Sequence, residues 1–175
     1  MKKLYILRHA KSDYPQGVGD HERPLNKRGQ NASIIMGKYI KSKDINFDAI
    51  LSSDSARTTE TINNVVKEAG ISTQIDFTKK LYLATPGEIL KELAKLGDEV
   101  QSAVVVCHNP GAEMLTAILA REGNPLALNT LSRKYPTCGL ACMTIKSANW
   151  DELDLGSAYL DEFITPKTLA NLENA

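Results

Sequence analysis

An apolar run near the start of the chain stops abruptly at two cationic side chains. The run from Leu4 to Leu7 has the composition of a buried strand, and Arg8 and His9 follow it directly. Later in the chain, the apolar run 103–107 ends in the same way on His108. A neutral imidazole nitrogen is a nucleophile near neutral pH, and a guanidinium group donates paired hydrogen bonds to phosphate oxygens. Together these residue types predict chemistry on a phosphoryl group.

A further strand-like run brings more polar groups to the same place. Residues 48–52 are followed by Ser53, and the helix predicted after them carries Arg57 in its first turn. Ligands of open α/β sheets bind beyond the carboxyl ends of the strands, where helix N-termini favour anions. We therefore expect a phosphate pocket at this edge, built from arginines, histidines and helix amides. Ser53 is a candidate additional donor to the phosphate.

The elements that must position these side chains alternate along the chain. Strand-like runs at residues 4–8, 48–52, 74–77 and 103–107 are separated by longer segments with helical spacing. The helices are predicted to begin near Asn26, Asp54 or Ser55, Thr85 and Pro110, with Gly70 closing the second. This alternation is typical of a mostly parallel sheet covered by helices, which is an α/β fold.

The pattern becomes irregular after Gly123. Residues 140–145 then predict a strand, paired with a segment near residues 150–155, at a sheet edge where at least one strand is antiparallel. The tail from Thr165 is expected to be a loosely docked end. Without a repeat or a linker, residues 1–175 are expected to form a single domain.

Composition limits the classes of partner. The 175 residues include 21 basic and 21 acidic side chains, so the formal net charge is zero and no global field predicts nucleic acid or membrane as a partner. The apolar stretch between Lys3 and Arg8 is too short for a signal-peptide core. Three cysteines do not form a disulfide framework. We expect a cytoplasmic protein.

Other catalytic classes leave no trace in the sequence. A cysteine phosphatase needs an arginine six residues after its nucleophile, and here those positions hold Glu113, Thr144 and Ala148. No ligand spacing supports a metal site, and neither phosphate-loop nor dinucleotide-binding glycine motifs occur. We expect no metal and no cofactor.

Motifs that follow one another in the expected order along the chain resemble those of the histidine phosphatase superfamily. Arg8-His9-Ala10, the segment 54–61 around Arg57, and His108 resemble the superfamily motifs. The SixA-type phosphohistidine phosphatases are similar in their short length, in Arg23-Pro24-Leu25 followed by Gly29, and in Thr85-Pro86-Gly87. The resemblance spans residues 4–145.

This resemblance implies a fold and a set of roles. The fold would be a three-layer α/β/α, phosphoglycerate mutase-like arrangement. His9 would be the catalytic phospho-acceptor, Arg8 and Arg57 would bind phosphate, and His108 would complete the pocket and stabilise the transition state. The expected partner is a phosphorylated protein, such as a histidine-phosphotransfer domain, or a small phosphate ester.

The chain departs from the family pattern at two points. Ala10 replaces a glycine, which costs little where φ is negative. The acidic residue that many members use as a proton donor is missing from the run Leu81-Tyr82-Leu83, and Asn109 stands where other members have aspartate. Glu88 is a nearby candidate acid.

The missing acid favours a phosphoramidate substrate, because expulsion of an imidazole needs less help than expulsion of an alkoxide. The interpretation is a phosphohistidine phosphatase that works through phospho-His9. The alternatives are a phosphomonoesterase or mutase of small molecules, and a non-catalytic module that binds phosphoproteins.

Two interpretations stay open for Asp20, His21 and Arg23, which either line the pocket mouth or form a polar loop. Lys11 and Ser12 are placed outside the core site.

Overall fold

One sheet of seven strands organises the molecule, for which a computed structural model describes residues 1–174. The strands are β1 (Lys2–Arg8), β2 (Ala49–Ser53), β3 (Ile75–Thr78), β4 (Ser102–Cys107), β5 (Ala120–Gly123), β6 (Leu140–Ile145) and β7 (Ala158–Ile164). Their order across the sheet is β3-β2-β4-β1-β6-β7-β5. Only β6 is antiparallel to its neighbours, so the expected mostly parallel sheet with a late antiparallel strand is confirmed.

Helices cover both faces of this sheet. They are α1 (Lys27–Ser42), α2 (Ala56–Ala69), α3 (Pro86–Leu93), α4 (Gly111–Leu119), α5 (Pro125–Arg133) and α6 (Pro166–Glu173). Alternate residues of β1 point to opposite faces, so Leu4 and Ile6 pack with α3, α4 and α5 while Tyr5 and Leu7 pack with α1, α2 and α6. The two cores on either side of one sheet confirm the three-layer α/β/α architecture.

Local signals in the sequence place the predicted helix ends correctly. The Asn26 side chain caps α1 by accepting from the Gly29 N–H at 2.9 Å. Ser55 caps α2, which Gly70 closes in the left-handed conformation with φ of 73°. Thr85 caps α3 in a reciprocal capping box with Glu88.

The second half differs from the sequence prediction in three places. Residues 150–155 are not a strand: Trp150–Glu152 form a 3₁₀ helix, whose buried indole N–H donates to the Val100 carbonyl oxygen at 3.0 Å, and β7 is the strand that pairs with β6. The irregular stretch contains α5, because Pro125 begins that helix rather than breaking it. The tail is docked, since α6 buries Leu169 in the core.

No helix within residues 1–174 is long and apolar enough to cross a membrane. In the same range, no group of three or more His, Cys, Asp or Glu side chains is arranged to hold a metal ion. The three cysteines, Cys107, Cys138 and Cys142, are buried free thiols. Burial raises the pKa of Cys107 and of Cys138 to about 12, so these thiols are protonated at neutral pH.

Candidate active site

The pairing of β1 with β4 sets the centre of the site. Arg8 is the register partner of Cys107 in this parallel pair, so the next residues, His9 and His108, emerge side by side at the carboxyl edge of the sheet. Their ring centroids are 5.2 Å apart, and the His9 backbone N–H donates to the Cys107 carbonyl oxygen at 3.1 Å. Both histidines are buried, with 7% and 1% of their surfaces exposed.

The hydrogen bond of the His9 ring determines which nitrogen can react. Nδ1 lies 2.7 Å from the Ala10 carbonyl oxygen, which can only accept, so Nδ1 carries the proton and donates it. Burial, together with the charges of Arg57 and Arg8, lowers the pKa of His9 to about 4. His9 is therefore neutral at pH 7, and its Nε2 carries a free lone pair.

His108 is held by a serine behind it. Its Nε2 lies 2.8 Å from Ser53 Oγ, and Ser53 is fully buried. Burial and the nearby His9 and Arg57 lower the pKa of His108 to about 3, so this ring is also neutral. When the Ser53 hydroxyl donates to Nε2, Nδ1 carries the proton and can donate it to an anion. A phosphoryl dianion beside the ring would raise the pKa of His108.

Two arginines flank the histidines and are only partly bound by the protein. Arg8 Nη1 donates to the Tyr135 carbonyl oxygen at 2.8 Å, and Arg57 Nη1 donates to the Asp20 carbonyl oxygen at 2.6 Å. Within the described chain, the buried side-chain polar atoms without a partner are Arg8 Nε, Arg57 Nε and His108 Nδ1. An unpartnered buried donor is costly unless a ligand satisfies it. All three belong to the predicted phosphate pocket.

The two histidines and the two arginines, His9, His108, Arg8 and Arg57, line one cavity of about 310 Å³. The loop between β1 and α1 supplies much of the remaining wall, including Lys11, Ser12, Tyr14, Asp20 and Arg23. Lys11 and Ser12, which the sequence analysis places outside the core site, lie in the wall of this cavity. The reason is the tight return of the loop, in which the Asn26 N–H donates to the Lys11 carbonyl oxygen at 3.0 Å.

Asp20 is the carboxylate among the residues that line this cavity. Its oxygens accept hydrogen bonds from the Tyr82 hydroxyl, from Arg57 Nη2 at 3.1 Å and from Arg23 Nε at 3.1 Å. The Tyr82 bond, together with Arg57 and Arg23, lowers the pKa of Asp20 to about 2. Asp20 is therefore ionised at neutral pH and competes with any anion for Arg57.

Tyr82 connects the turn that carries Asp20 to His108 at the carboxyl edge of the sheet. Its ring packs edge-on against His108 at 5.4 Å and against His21 at 4.8 Å, measured between centroids. His21 Nε2 lies 2.8 Å from Asp54 Oδ1, just before α2. The turn that carries Asp20 is thereby held against the carboxyl ends of β2 and β4. Of the two readings that the sequence left open, the structure favours the pocket wall for Asp20 and Arg23.

The three additional candidates lie in different positions. Asn109 lines the cavity, and its Nδ2 is 3.3 Å from the Tyr135 carbonyl oxygen that Arg8 also uses. Ser53 contacts the His108 ring and is not part of the cavity lining. Glu88 is also outside the lining, because its carboxylate accepts from the Thr85 N–H at 2.8 Å in the cap of α3.

Small residues and hydroxyls hold the loop after His9. The Ala10 N–H donates to Thr61 Oγ1 at 2.9 Å, and Ala10 is not among the residues with positive φ, so the glycine of the family motif is not needed here. Gly29 is needed: a Cβ at this position would lie 2.0 Å from the Lys11 carbonyl oxygen. The resemblance of Arg23-Pro24-Leu25 and Gly29 to the SixA-type motif pointed to this position. The sequence left the place of Asp20 open and gave no signal for Tyr82 as a contact of His108.

Comparison with known proteins gives the family. The model of the histidine phosphatase superfamily (branch 1) matches residues 4–81. An uncharacterised protein of Mycobacterium tuberculosis is 33% identical over 163 residues, covering 92% of this chain and all of the relative. The chain belongs to the histidine phosphatase superfamily.

Solved structures of similar proteins agree with this assignment. A protein of Agrobacterium tumefaciens assigned as a SixA phosphohistidine phosphatase has a TM-score of 0.78 and 28% identity, covering 94% of this chain and 98% of its own. Phosphoglycerate mutase of Bacillus anthracis, at 17% identity and a TM-score of 0.70, shares the fold over 98% of this chain and 96% of its own. The protein is thus a SixA-like, histidine-dependent phosphatase with a phosphoglycerate mutase-like fold. The non-catalytic alternative is not supported.

Proposed function

We propose that this histidine phosphatase removes phosphoryl groups from protein histidine residues through a phospho-His9 intermediate. The observation that carries the proposal is the hydrogen bond from His9 Nδ1–H to the Ala10 carbonyl oxygen at 2.7 Å. It leaves Nε2 as an unprotonated nucleophile inside a pocket of cationic groups. The His9 pKa of about 4 keeps this form dominant across the physiological range.

The reaction has two displacement steps. In the first, the His9 Nε2 lone pair forms a bond to phosphorus while the bond from phosphorus to the substrate's imidazole nitrogen breaks, and the released nitrogen takes a proton from solvent. In the second, the oxygen of a water molecule forms a bond to the phosphorus of phospho-His9, and the protons of that water remain on the phosphate or pass to solvent. The Nε2–P bond breaks, inorganic phosphate leaves, and His9 returns to its neutral form.

Arg8, Arg57 and His108 would bind the three non-bridging oxygens during both steps. Each has a buried nitrogen without a protein partner in the described residues, so a phosphoryl group supplies the missing acceptors. Donors fixed in advance around developing charge stabilise the transition state without reorganising. Ser53 acts behind His108 as a positioning residue.

The lack of a protonated carboxyl group among the residues that line the cavity supports a nitrogen leaving group. Asp20, the carboxylate of the cavity lining, is ionised with a pKa of about 2, and Glu88 is committed to the cap of α3. An alkoxide leaving group gains about 10²–10⁴-fold from a positioned acid. An imidazole leaving group needs much less, so the pocket suits a phosphoramidate bond. Tyr14 and Leu83 line the cavity and are exposed, so a protein substrate could contact them.

The test compares a substrate whose phosphoryl group is bonded to nitrogen with one whose phosphoryl group is bonded to oxygen. The purified enzyme is assayed on a peptide phosphorylated on histidine and on phosphoglycerate, with His9→Ala as the control. We expect turnover of the phosphohistidine peptide to exceed that of the ester by at least about 100-fold, the value that a positioned acid would supply. A preference for the ester would overturn the proposal in favour of a phosphomonoesterase or mutase.

A further inference from the structure

A groove of about 1060 Å³ lies beside the catalytic cavity and is lined by cationic side chains. Its cations are Lys11, Lys27, Arg28, Arg133, Lys134 and Lys167. No Asp or Glu is among the residues that line it. The chain as a whole has zero formal net charge, so this concentration of positive charge is local. Such a groove attracts anionic groups.

These six cations have no carboxylate partner in the part of the chain that the structure describes. None of them takes part in an ion pair among residues 1–174. Lys27 and Arg28 are the first two residues of α1, and Lys167 is the second residue of α6. Cations at helix N-termini oppose the helix dipole, so they do not serve helix stability.

The groove adjoins the phosphate pocket, because the two share part of their walls. Lys11 and Thr137 line both cavities. Cys138, next to Thr137, donates its backbone N–H to the His9 carbonyl oxygen at 2.9 Å, so one wall of the groove is attached directly to the His9 segment. A chain lying in the groove can therefore extend from a phosphorylated side chain seated at His9.

The other lining residues indicate what kind of anion fits. Ala32, Ile35, Leu126, Pro136 and Pro166 supply apolar surface between the cations. No aromatic side chain lines the groove, so a nucleobase would find no stacking partner. Apolar surface flanked by spaced cations complements a polypeptide segment that carries both carboxylates and apolar side chains.

We propose that this basic groove binds an acidic segment of the substrate protein that lies next to its phosphohistidine. The inference deepens the proposed function and rests on it for the identity of the partner. The groove contributes affinity and partner selection, while chemistry stays with the residues of the cavity. Neutralising the groove therefore weakens binding of an acidic substrate without changing the reaction of a small one.

Binding is measured first, without any phosphoryl group. Two labelled peptides of equal length are used, one with alternating glutamate and leucine and one with glutamine in place of glutamate. The groove variant combines Lys27→Gln, Arg28→Gln, Arg133→Gln and Lys167→Gln. Its matched control combines four exposed lysines outside the groove, Lys38→Gln, Lys41→Gln, Lys67→Gln and Lys79→Gln.

Fluorescence anisotropy gives the decisive comparison. We expect the wild type and the control variant to bind the glutamate peptide about tenfold more tightly than the glutamine peptide, and salt to weaken this preference. The groove variant should lose the preference. Equal affinity for the two peptides, or an unchanged preference in the groove variant, would overturn the inference. Tighter, groove-dependent binding of inorganic tripolyphosphate would overturn it in favour of a small polyanion.

Turnover separates failure of the groove from failure of the proposed function. With phosphohistidine versions of both peptides, the groove variant should raise KM for the glutamate peptide about tenfold and leave kcat unchanged. Turnover of phosphoimidazole should be equal in all three proteins. If no phosphoramidate is hydrolysed by any of them, the proposed function fails, and the binding measurement still decides the groove.

Discussion

Asp20 and Arg57 form an ion pair inside the catalytic cavity, with Asp20 Oδ2 at 3.1 Å from Arg57 Nη2. The backbone carbonyl oxygen of Asp20 also accepts a hydrogen bond from Arg57 Nη1 at 2.6 Å. One residue thus binds both terminal nitrogens of a guanidinium that is predicted to hold phosphate. The carboxylate is the part of this contact that an incoming anion can replace.

Asp20→Asn should tighten the binding of inorganic phosphate as a competitive inhibitor, because it removes a negative charge that competes for Arg57. We expect the inhibition constant to fall about three- to tenfold, with the fold unchanged. Glu22→Gln is the control, since Glu22 is an exposed carboxylate near His21 that does not line the cavity. Weaker phosphate binding in Asp20→Asn would show instead that Asp20 orients the arginine.

Ser53→Ala should lower kcat about tenfold with little change in KM, because it removes the hydrogen bond that positions the His108 ring. Ser52→Ala is matched to it: Ser52 is equally buried, but its hydroxyl donates to the Ser53 carbonyl oxygen at 2.9 Å and not to the histidine. Steady-state kinetics and urea unfolding are measured for both variants. An equal loss of kcat in both would assign the effect to packing.

Gly29→Ala should destabilise the fold by about 1–3 kcal/mol, because the new Cβ would overlap the Lys11 carbonyl oxygen. Gly87→Ala provides the contrast, since a Cβ there meets nothing within 4 Å. In that case alanine should stabilise α3 by up to about 1 kcal/mol. The free energies of unfolding in urea test both values. A neutral Gly29→Ala would mean that α1 can move away from the His9 loop at no cost.

The free energy of unfolding should fall as the pH is lowered from about 6.5 to about 4. His9 has a pKa of about 4 in the fold and an ordinary value of 6.5 when unfolded, so the unfolded chain takes up the proton first. Its contribution is fully present above pH 6.5, and on the order of 3 kcal/mol is lost at the lower limit.

Unfolding of the wild type and of His9→Gln at several pH values isolates this effect, and the variant should show the flatter profile. His21→Gln is a control of opposite sign. Asp54 raises the pKa of His21, so its contribution is present at low pH and is lost as the pH rises through the folded pKa. Parallel profiles for the wild type and His9→Gln would contradict the assignment of a neutral, buried His9.

The sequence predicts the site best where functional side chains come directly after a strand. Arg8, His9 and His108 were found because two apolar runs end on them, and neighbouring parallel strands then bring those ends together. The first three helices are predicted by local signals: Asn26 can cap α1, Gly70 closes α2, and Pro86 suits the first turn of α3.

The sequence predicts least where tertiary contacts decide. The sequence left two readings open for Asp20, because its place in the cavity depends on contacts with Arg57 and Tyr82, both distant in sequence. Strand β5 includes Arg121 and Glu122, so it has no apolar signal. The basic groove is likewise assembled from the ends of three separate helices, α1, α5 and α6, and spacing along the chain does not reveal it.

Trapping of the phosphorylated enzyme tests the central claim most directly. The protein is mixed with a histidine-phosphorylated peptide, quenched early in alkali, and mapped by mass spectrometry alongside His9→Ala. The account predicts a phosphoryl group on His9 that survives alkali and is lost in acid, with neither phosphoenzyme nor turnover in His9→Ala. Turnover retained by His9→Ala, or a phosphoryl group on another residue, would contradict it.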